Sequence, residues 1–362
     1  MKILFVYDSN SKGGKERRFT ELINSLALDN SIKTSIFFIT SNFYYDFNDS
    51  NIKIVYHPRK FKYDFSVIWK IFRYCQKERP SIIHSWGIIG SLFSIIPAKI
   101  LKIKLIDSRI ADTNPNFNSM LSIHYLKHFI INSFSDILVS NTKLGADLYH
   151  VKEEKAVIIP NGINTKRFQN LKNKDKMRKE LGIESKFVVT MIARFAATKD
   201  YGTFFKVAEK ITHNRDDVSF IAVGSGEFFD IYYKKIRQLN LEKKIFLLGQ
   251  RKDVEDIINI SDIGVLASYS EGFPNVILEF MALGKPQVIS KVGGMREMQK
   301  SKQKYCYTIE KEDYNSLINK IYLLLDQKNK YERMSFCAIK VFKEKYTAEI
   351  MVNNYKNLYA KL

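Results

Sequence analysis

The feature that most constrains this chain is a rhythm that occurs twice. Short β-branched runs alternate with helical stretches from one end to the other. The first series runs through Ile3–Tyr7, Lys33–Ile39, Ile52–Tyr56, Ser81–His84, Lys104–Asp107, Ile137–Ser140 and Ala156–Pro160. The second runs through Phe187–Ala193, Ser219–Gly224, Lys244–Leu248, Ile263–Ala267 and Pro286–Ser290. Helical segments such as Lys15–Asp29, Thr203–Thr212 and Val276–Leu283 fall between the strands. Alternation of this kind predicts parallel, doubly wound α/β sheets. The charged stretch Asn164–Lys186 has no strand character and separates the two series. At 362 residues the chain exceeds one comfortable core and suits two. The expectation is therefore two Rossmann-like domains, 1–165 and 166–345, facing each other across a cleft, with 346–362 as a C-terminal amphipathic helix.

Open α/β sheets bind ligands beyond the carboxyl ends of their strands, so residues that directly follow strands matter most. After the first strand, Gly13 and Gly14 precede a helix, where a backbone can approach a ligand closely and free N–H groups meet an anion. The pattern is not GxGxxG and no acidic residue follows at the usual distance, which disfavours a dinucleotide site. His84 ends the apolar run of IIHSWG, a position that would aim it into the cleft. Arg194 and Lys199 share the loop of ARFAATKD, where a guanidinium fork and a point charge can clamp a diphosphate. Such a clamp stabilises charge that develops on a nucleotide leaving group.

The most informative stretch is SDIGVLASYSEGFPNVILEFMALGKPQVISKVGG. Pro274 suits the first helical position, leaving the N–H groups of Gly272, Phe273 and Asn275 for an oxyanion or sugar hydroxyls. Glu271 precedes that helix and Glu279 lies within it. Carboxylates accept paired hydrogen bonds from the vicinal hydroxyls of a sugar or ribose. Glu279 sits among Val276, Ile277, Leu278, Phe280 and Met281, which suits a purely solvated role poorly.

EGFPNVILE fits the Glu-x7-Glu signature of retaining glycosyltransferases, and the chain resembles glycosyltransferase family 4 over essentially its whole length. The GGKE loop, IIHSWG, IPNGINTKRF, ARFAATKD, AVGSGE, LGQRKDVEDII, ALGKP and KVGGMRE follow in the family's order. The resemblance implies the GT-B architecture, with the C-terminal helix crossing back to the first domain; a plain packing helix is the alternative. It implies that Arg194 and Lys199 hold the donor diphosphate and that Glu279 binds the ribose. Glu271, with the amides of Gly272 to Asn275, would hold the transferred sugar, and Phe273, Pro274 and Val276 would belong to the same donor-binding stretch. The stretch from Arg251 to Val254 would lie against the base, His84 would reach the reacting centre, and Gly13 and Gly14 would approach phosphates or acceptor. His84, Arg194, Lys199 and Glu271 form the implied catalytic set. Asn161 and Gly162 take a structural role. The family chemistry uses neither metal nor cofactor, the nucleotide-sugar being a substrate. Asn164, Lys15 and Phe280 depart from the family's usual residues, and Phe280 bears on packing beside the donor.

Charge and composition narrow the partners. The chain has 58 Lys and Arg against 38 Asp and Glu, a net +20. Lys53 to Arg79 holds eight basic and two acidic residues interleaved with Tyr, Phe and Trp69. That mix suits an anionic membrane surface, a solvated helix with aromatics turned to the core, or nucleic acid. The segment motivates a lipid-linked oligosaccharide or surface-glycan precursor at the cytoplasmic membrane face as the expected acceptor; nucleic acid is set aside. The opening MKILFVYDSN suits a strand running into a turn and is too short for a signal-peptide core. The longest apolar stretch, Ile88–Ile100, falls short of the ~20 residues that span a bilayer. Cys75, Cys306 and Cys337 are scattered, which fits a reducing cytoplasm and no zinc site. The expected protein is thus cytoplasmic or peripheral at the inner membrane face, with a UDP-sugar preferred over a GDP-sugar as donor. Acceptor selection falls to loops such as Ile110–Tyr125. Two alternatives share the fold: a sugar-nucleotide epimerase and a non-catalytic scaffold subunit.

Overall fold

The computed structural model describes residues 1–9, 13–41, 43, 46–47, 51–109, 123–298 and 304–362. Residues 110–122 of the stretch Ile110–Tyr125 therefore lie outside the described residues. The chain divides into two compact units, Met1–Gly162 with Ala348–Leu362, and Ile163–Thr347.

Unit 1 is built in the order β1 (Lys2–Tyr7), α1 (Gly14–Ala27), β2 (Lys33–Phe38), β3 (Lys53–Tyr56), α2 (Ser66–Glu78), β4 (Ile82–Trp86), α3 (Ile88–Ile100), β5 (Lys104–Arg109), α4 (Ile123–Phe134), β6 (Ile137–Ser140), α5 (Lys143–Leu148) and β7 (Ala156–Ile158). Its seven strands lie in the order β3-β2-β1-β4-β5-β6-β7. All neighbours are parallel. Buried runs such as Ile-Leu-Phe-Val in β1 are what a sheet covered on both faces requires. One face packs against α2 and α3 through Val6, Ile71 and Phe93. The other packs against α1 and the C-terminal helix through Phe5, Phe19 and Tyr355.

Unit 2 follows as α6 (Lys174–Glu180), β8 (Phe187–Ile192), α7 (Tyr201–Asn214), β9 (Val218–Val223), α8 (Phe229–Gln238), β10 (Ile245–Leu247), α9 (Val254–Ile260), β11 (Ile263–Leu266), α10 (Asn275–Ala282), β12 (Gln287–Ser290), α11 (Met295–Met298), β13 (Tyr307–Ile309), α12 (Tyr314–Asp326) and α13 (Lys328–Lys345). The six parallel strands lie in the order β10-β9-β8-β11-β12-β13. The last helix, α14 (Ala348–Ala360), belongs to unit 1 and packs on α1.

The doubly wound parallel sheets are both present. The charged stretch Asn164–Lys186 is not a bare joint. It holds a 3-10 turn at Thr165–Phe168 and α6, whose buried Met177 packs with Ile257 and Ile260 of α9. The chain leaves unit 1 at Ile163 and returns after Thr347, and these two residues pair in a parallel bridge.

Candidate functional site

In unit 2 the strand order reverses between β8 and β11, which places the loops after these strands side by side at the carboxyl edge. The two loops are stitched together. Asp200 donates its N–H to Ala267 O at 3.0 Å, and Tyr269 donates to Thr198 O at 2.9 Å. Lys199 forms an antiparallel bridge with Ser268. This register sets Lys199 against Glu271: the ammonium Nζ donates to the Glu271 carboxylate, and Ser268 Oγ donates to the same oxygen at 2.7 Å.

Neighbouring loops brace this pair. Gly293 after β12 has φ +49°, and a Cβ there would stand 1.7 Å from the Glu271 carbonyl oxygen. The next residue, Gly294, donates its N–H to that carbonyl at 3.2 Å. On the other side, Gly224 lies so close to Ala193 that a Cβ would meet its carbonyl oxygen at 1.9 Å. Phe195 donates its N–H to Ser225 O, and Gly224 donates to Gly249 O. The AVGSGE and KVGG glycines thus let five loops interlock along one edge.

On this shelf Arg194 is exposed, with no ion pair among the described residues. Gly272 and Phe273 are half-buried, and Phe273 packs on Tyr346 with ring centroids 5.6 Å apart. Pro274 sits one residue earlier than expected. It is the N-cap, with ψ 123°, and Asn275 begins the helix, followed by Val276. Glu279 is 4% exposed, and Arg167 Nη1 donates to it at 3.0 Å. Arg167 also donates through Nε to Glu255 at 2.7 Å. Burial lowers the Arg167 pKa, but Glu279 and then Glu255 outweigh it, so the net shift is upward and the guanidinium stays charged. Arg251 forks onto Asp253 at 2.8 and 2.6 Å, which raises the arginine and lowers the aspartate, in each case chiefly through that hydrogen bond. Val254 starts α9 directly behind it. Lys285, of ALGKP, is buried and donates to Asn259 O and Ser261 O at the end of α9; burial pulls its pKa down to about 8.

Arg194, Lys199, Arg251, Val254, Glu271 to Val276 and Glu279 therefore all belong to unit 2, on or beside its carboxyl edge. Gly13, Gly14 and His84 belong to unit 1. Gly13 is the N-cap of α1 and Gly14 its first residue, with Glu16 buried behind them accepting from Tyr7 and Ser9.

His84 corrects the expectation. β4 continues two residues past it to Trp86, so His84 is mid-strand rather than terminal. It is 0% exposed, beneath α1 and α14. Its Nδ1 pairs with Tyr359 Oη at 2.8 Å and its Nε2 with Ser108 Oγ at 2.7 Å. Burial, with Arg18 nearby, holds its pKa well below the usual histidine value. The ring is a neutral core residue that anchors α14. Phe280 is likewise buried: its ring fills the space above Gly264 of β11, where a Cβ would stand 2.7 Å away.

Three functional or supporting arginines escaped sequence reasoning. Arg167 lay in the supposed joint. Arg18 is buried, donating to Asn161 Oδ1, Ile159 O and Tyr355 Oη, which gives Asn161 its structural role. Arg109 ends β5, is held by Asp107 at 2.8 Å and stacks over Tyr149. Only the position of Arg109 at the carboxyl end of a strand could have marked it. Among the described residues no three His, Cys, Asp or Glu side chains group as metal ligands would.

Residues 173–341 match the family described as glycosyl transferases group 1. The chain is 27% identical over 277 residues to an Escherichia coli UDP-Gal:alpha-D-GlcNAc-diphosphoundecaprenol alpha-1,3-galactosyltransferase, covering 73% of this chain and 71% of that one. It is 30% identical over 223 residues to a Campylobacter jejuni N,N'-diacetylbacillosaminyl-diphospho-undecaprenol alpha-1,3-N-acetylgalactosaminyltransferase, covering 59% and 58%. Among solved structures it is similar to Anabaena HepE in complex with UDP, with TM-score 0.84, 18% identity and 100% of both chains covered.

Proposed function

The chain is a glycosyltransferase family 4-like protein of the GT-B fold, and from that premise we propose that it is a retaining glycosyltransferase acting on a lipid-linked saccharide. The donor is a UDP-sugar, in keeping with the E. coli relative's named donor and the UDP bound to Anabaena HepE. The observation that carries the reading is the edge of unit 2 where the loops after β8 and β11 join, pairing Lys199 with Glu271 and carrying the exposed Arg194, with Glu279 in the second turn of the helix that follows.

In this reading Arg194 and Lys199 hold the diphosphate, Glu279 takes the ribose hydroxyls, and Glu271 with the 272–275 backbone orients the sugar. The bond from the anomeric carbon to the diphosphate oxygen breaks. A bond to the acceptor hydroxyl oxygen forms on the same face, and the acceptor proton passes to the departing diphosphate oxygen. The protein supplies position and charge stabilisation, with no metal and no cofactor. The work is surface-glycan assembly at the cytoplasmic face of the membrane, as the diphosphoundecaprenol acceptors in both relatives' names suggest.

The test is incubation with UDP- and GDP-sugars and a diphosphate-lipid-linked saccharide. The expected product carries the donor's anomeric configuration by NMR. Inversion at C2 of the donor sugar without an acceptor would support the epimerase instead. No turnover together with no nucleotide-induced stabilisation would favour the scaffold.

A further inference from the structure

Successive side chains of β5 alternate between the two faces of the unit 1 sheet. Ile106 and Ser108 turn toward the layer of α1 and α14, and Leu105 and Asp107 toward α3. Arg109 shares the face of Asp107 and is the last residue of the strand, at the carboxyl edge where open α/β sheets bind ligands. It is 7% exposed, and its guanidinium is only half used. Nε donates to Asp107 Oδ2 at 2.8 Å, and the guanidinium carbon lies 5.2 Å from the centre of the Tyr149 ring. Nη1 and Nη2 are both buried and have no hydrogen-bond partner.

Two other arginines show the reverse. Arg18 and Arg178 lack a partner at Nε, but each spends Nη1 and Nη2 within the fold, on carbonyls and on a hydroxyl or a carboxylate. Those two serve the structure. Arg109 instead has its inner nitrogen fixed and its end-on fork left over. A buried, charged donor without an acceptor is costly, so a fork of two such donors calls for an occupant.

The support behind the fork is firm. Asp107 Oδ1 accepts from Ser91 of α3, whose hydroxyl stands 3.0 Å from Ser85 Oγ of β4. The carboxylate is held from two sides and so fixes the guanidinium in direction. The N-terminus of α3, after the neighbouring strand β4, is already taken. Asp8 Oδ2 accepts from the Ile89 and Gly90 N–H groups there at 2.8 and 3.1 Å. His128 of α4 brings no charge, since burial and then Arg109 hold its pKa down to about 3. An oxyanion at the end of β5 therefore meets Arg109 and not a helix end.

We propose that the Arg109 fork binds the diphosphate of the acceptor, pairing Nη1 and Nη2 with two phosphate oxygens. Coplanar N–H groups match phosphate oxygens bidentately, which the point charge of a lysine does not. A neutral saccharide gains no charge-assisted bond at this position, so the fork makes an anion next to the sugar a condition of acceptor choice. The inference rests on the lipid-linked acceptor reading for its ligand, and on the unpartnered Nη pair for its evidence.

The test compares two probes that share N-acetylglucosamine and a citronellyl chain, one linked through a diphosphate and one a plain glycoside. Calorimetry on the full-length protein gives Kd, with UDP saturating so that the nucleotide site is filled; transfer assays give KM for each acceptor. The diphosphate probe should bind wild type at least about tenfold more tightly than the glycoside, and Arg109→Lys should bring the two within about threefold. The Kd for UDP should not follow. Arg109→Lys keeps a cation beside Asp107 and should fold, and the wild-type margin is itself decisive, since its absence overturns the proposal without any variant. A margin that survives in Arg109→Lys also overturns it. So does a loss of UDP affinity alone, which would give the fork to the donor, and so does inorganic pyrophosphate binding as tightly as the diphosphate probe, which would make it a site for a free anion. Diphosphate-dependent binding without transfer refutes the enzyme reading and leaves the fork. Transfer with equal KM for both acceptors refutes the fork and leaves the enzyme.

Discussion

Glu279→Gln keeps the shape of the side chain and removes its charge, which makes it the sharpest probe of the donor site. Hydrogen bonds to a charged group contribute about 1.5–3 kcal/mol, so losing charge assistance to the ribose hydroxyls should cost about 2 kcal/mol of UDP affinity, or ~30-fold. At a UDP concentration 100 times the wild-type Kd, ligand stabilises the folded state by about 2.7 kcal/mol; after a 30-fold loss this falls to about 0.9 kcal/mol. For a unit of this size about 1 kcal/mol moves Tm by roughly 2–4 °C, so a shift of roughly 5–11 °C should shrink to roughly 2–4 °C. The unliganded protein should change little. Arg167 keeps Glu255 as a partner, so its guanidinium is not left unpaired. The assay is differential scanning fluorimetry with UDP, GDP, ADP and CMP on both proteins. A full UDP shift in the variant refutes the assignment. So does a collapse of the unliganded Tm, which would make Glu279 a structural carboxylate.

Three further outcomes follow from the same geometry. Lys199→Ala should lower kcat by about 10²–10³ while Tm moves by only a few degrees, read by steady-state transfer and fluorimetry; unchanged kcat would remove Lys199 from the chemistry. Tyr359→Phe takes the partner from His84 Nδ1 and should destabilise the protein by about 1–3 kcal/mol in urea, with UDP affinity within about twofold; a large loss of affinity would contradict the core role of His84. Burial, with Arg18 near His84 and Arg109 near His128, depresses both histidines, His128 to about 3. Folded-state values below the unfolded 6.5 mean stability is fully present above that pH. It is lost as the unfolded chain takes up protons below it, about 1.4 kcal/mol per pH unit for each histidine; urea midpoints equal at pH 7 and pH 5 would refute this.

The sheets were legible because parallel strands buried on both faces must be written as uninterrupted apolar runs, as β1 and β11 are. The loops after β8 and β11, proposed to hold the donor, were legible for a related reason: their polar residues break those runs at fixed points, and the strand order then sets them side by side. What sequence could not supply were partners distant along the chain. His-Ser-Trp looked like the end of β4 because its polar residues needed water. They do not, since Tyr359, 275 positions away, and Ser108 satisfy the imidazole inside the core. Arg167 looked like linker charge, and only its contact with Glu279, 112 positions on, gives it a place. The edge strand β13 is three residues long, too short for a period to register.

Most charges on the unit 2 edge are partnered within the fold. Lys199 is held by Glu271, Arg167 by Glu279 and Glu255, and Arg251 by Asp253. Each pair offsets part of the desolvation that a lone charge would suffer, and each fixes a long side chain in direction. In the proposed reading, a diphosphate arriving beside Arg194 would meet one cation with no ion pair among the described residues, and one, Lys199, already aimed by Glu271. Sharing Lys199 between Glu271 and a phosphate weakens the first contact as the second forms, so part of the attraction is offset in the ground state. The offset lessens as negative charge grows on the departing diphosphate, because the ammonium is then drawn further toward it. If Lys199 holds the diphosphate as proposed, an ion pair that moderates donor binding while sharpening stabilisation of the leaving group is what differential binding would demand of it and Glu271.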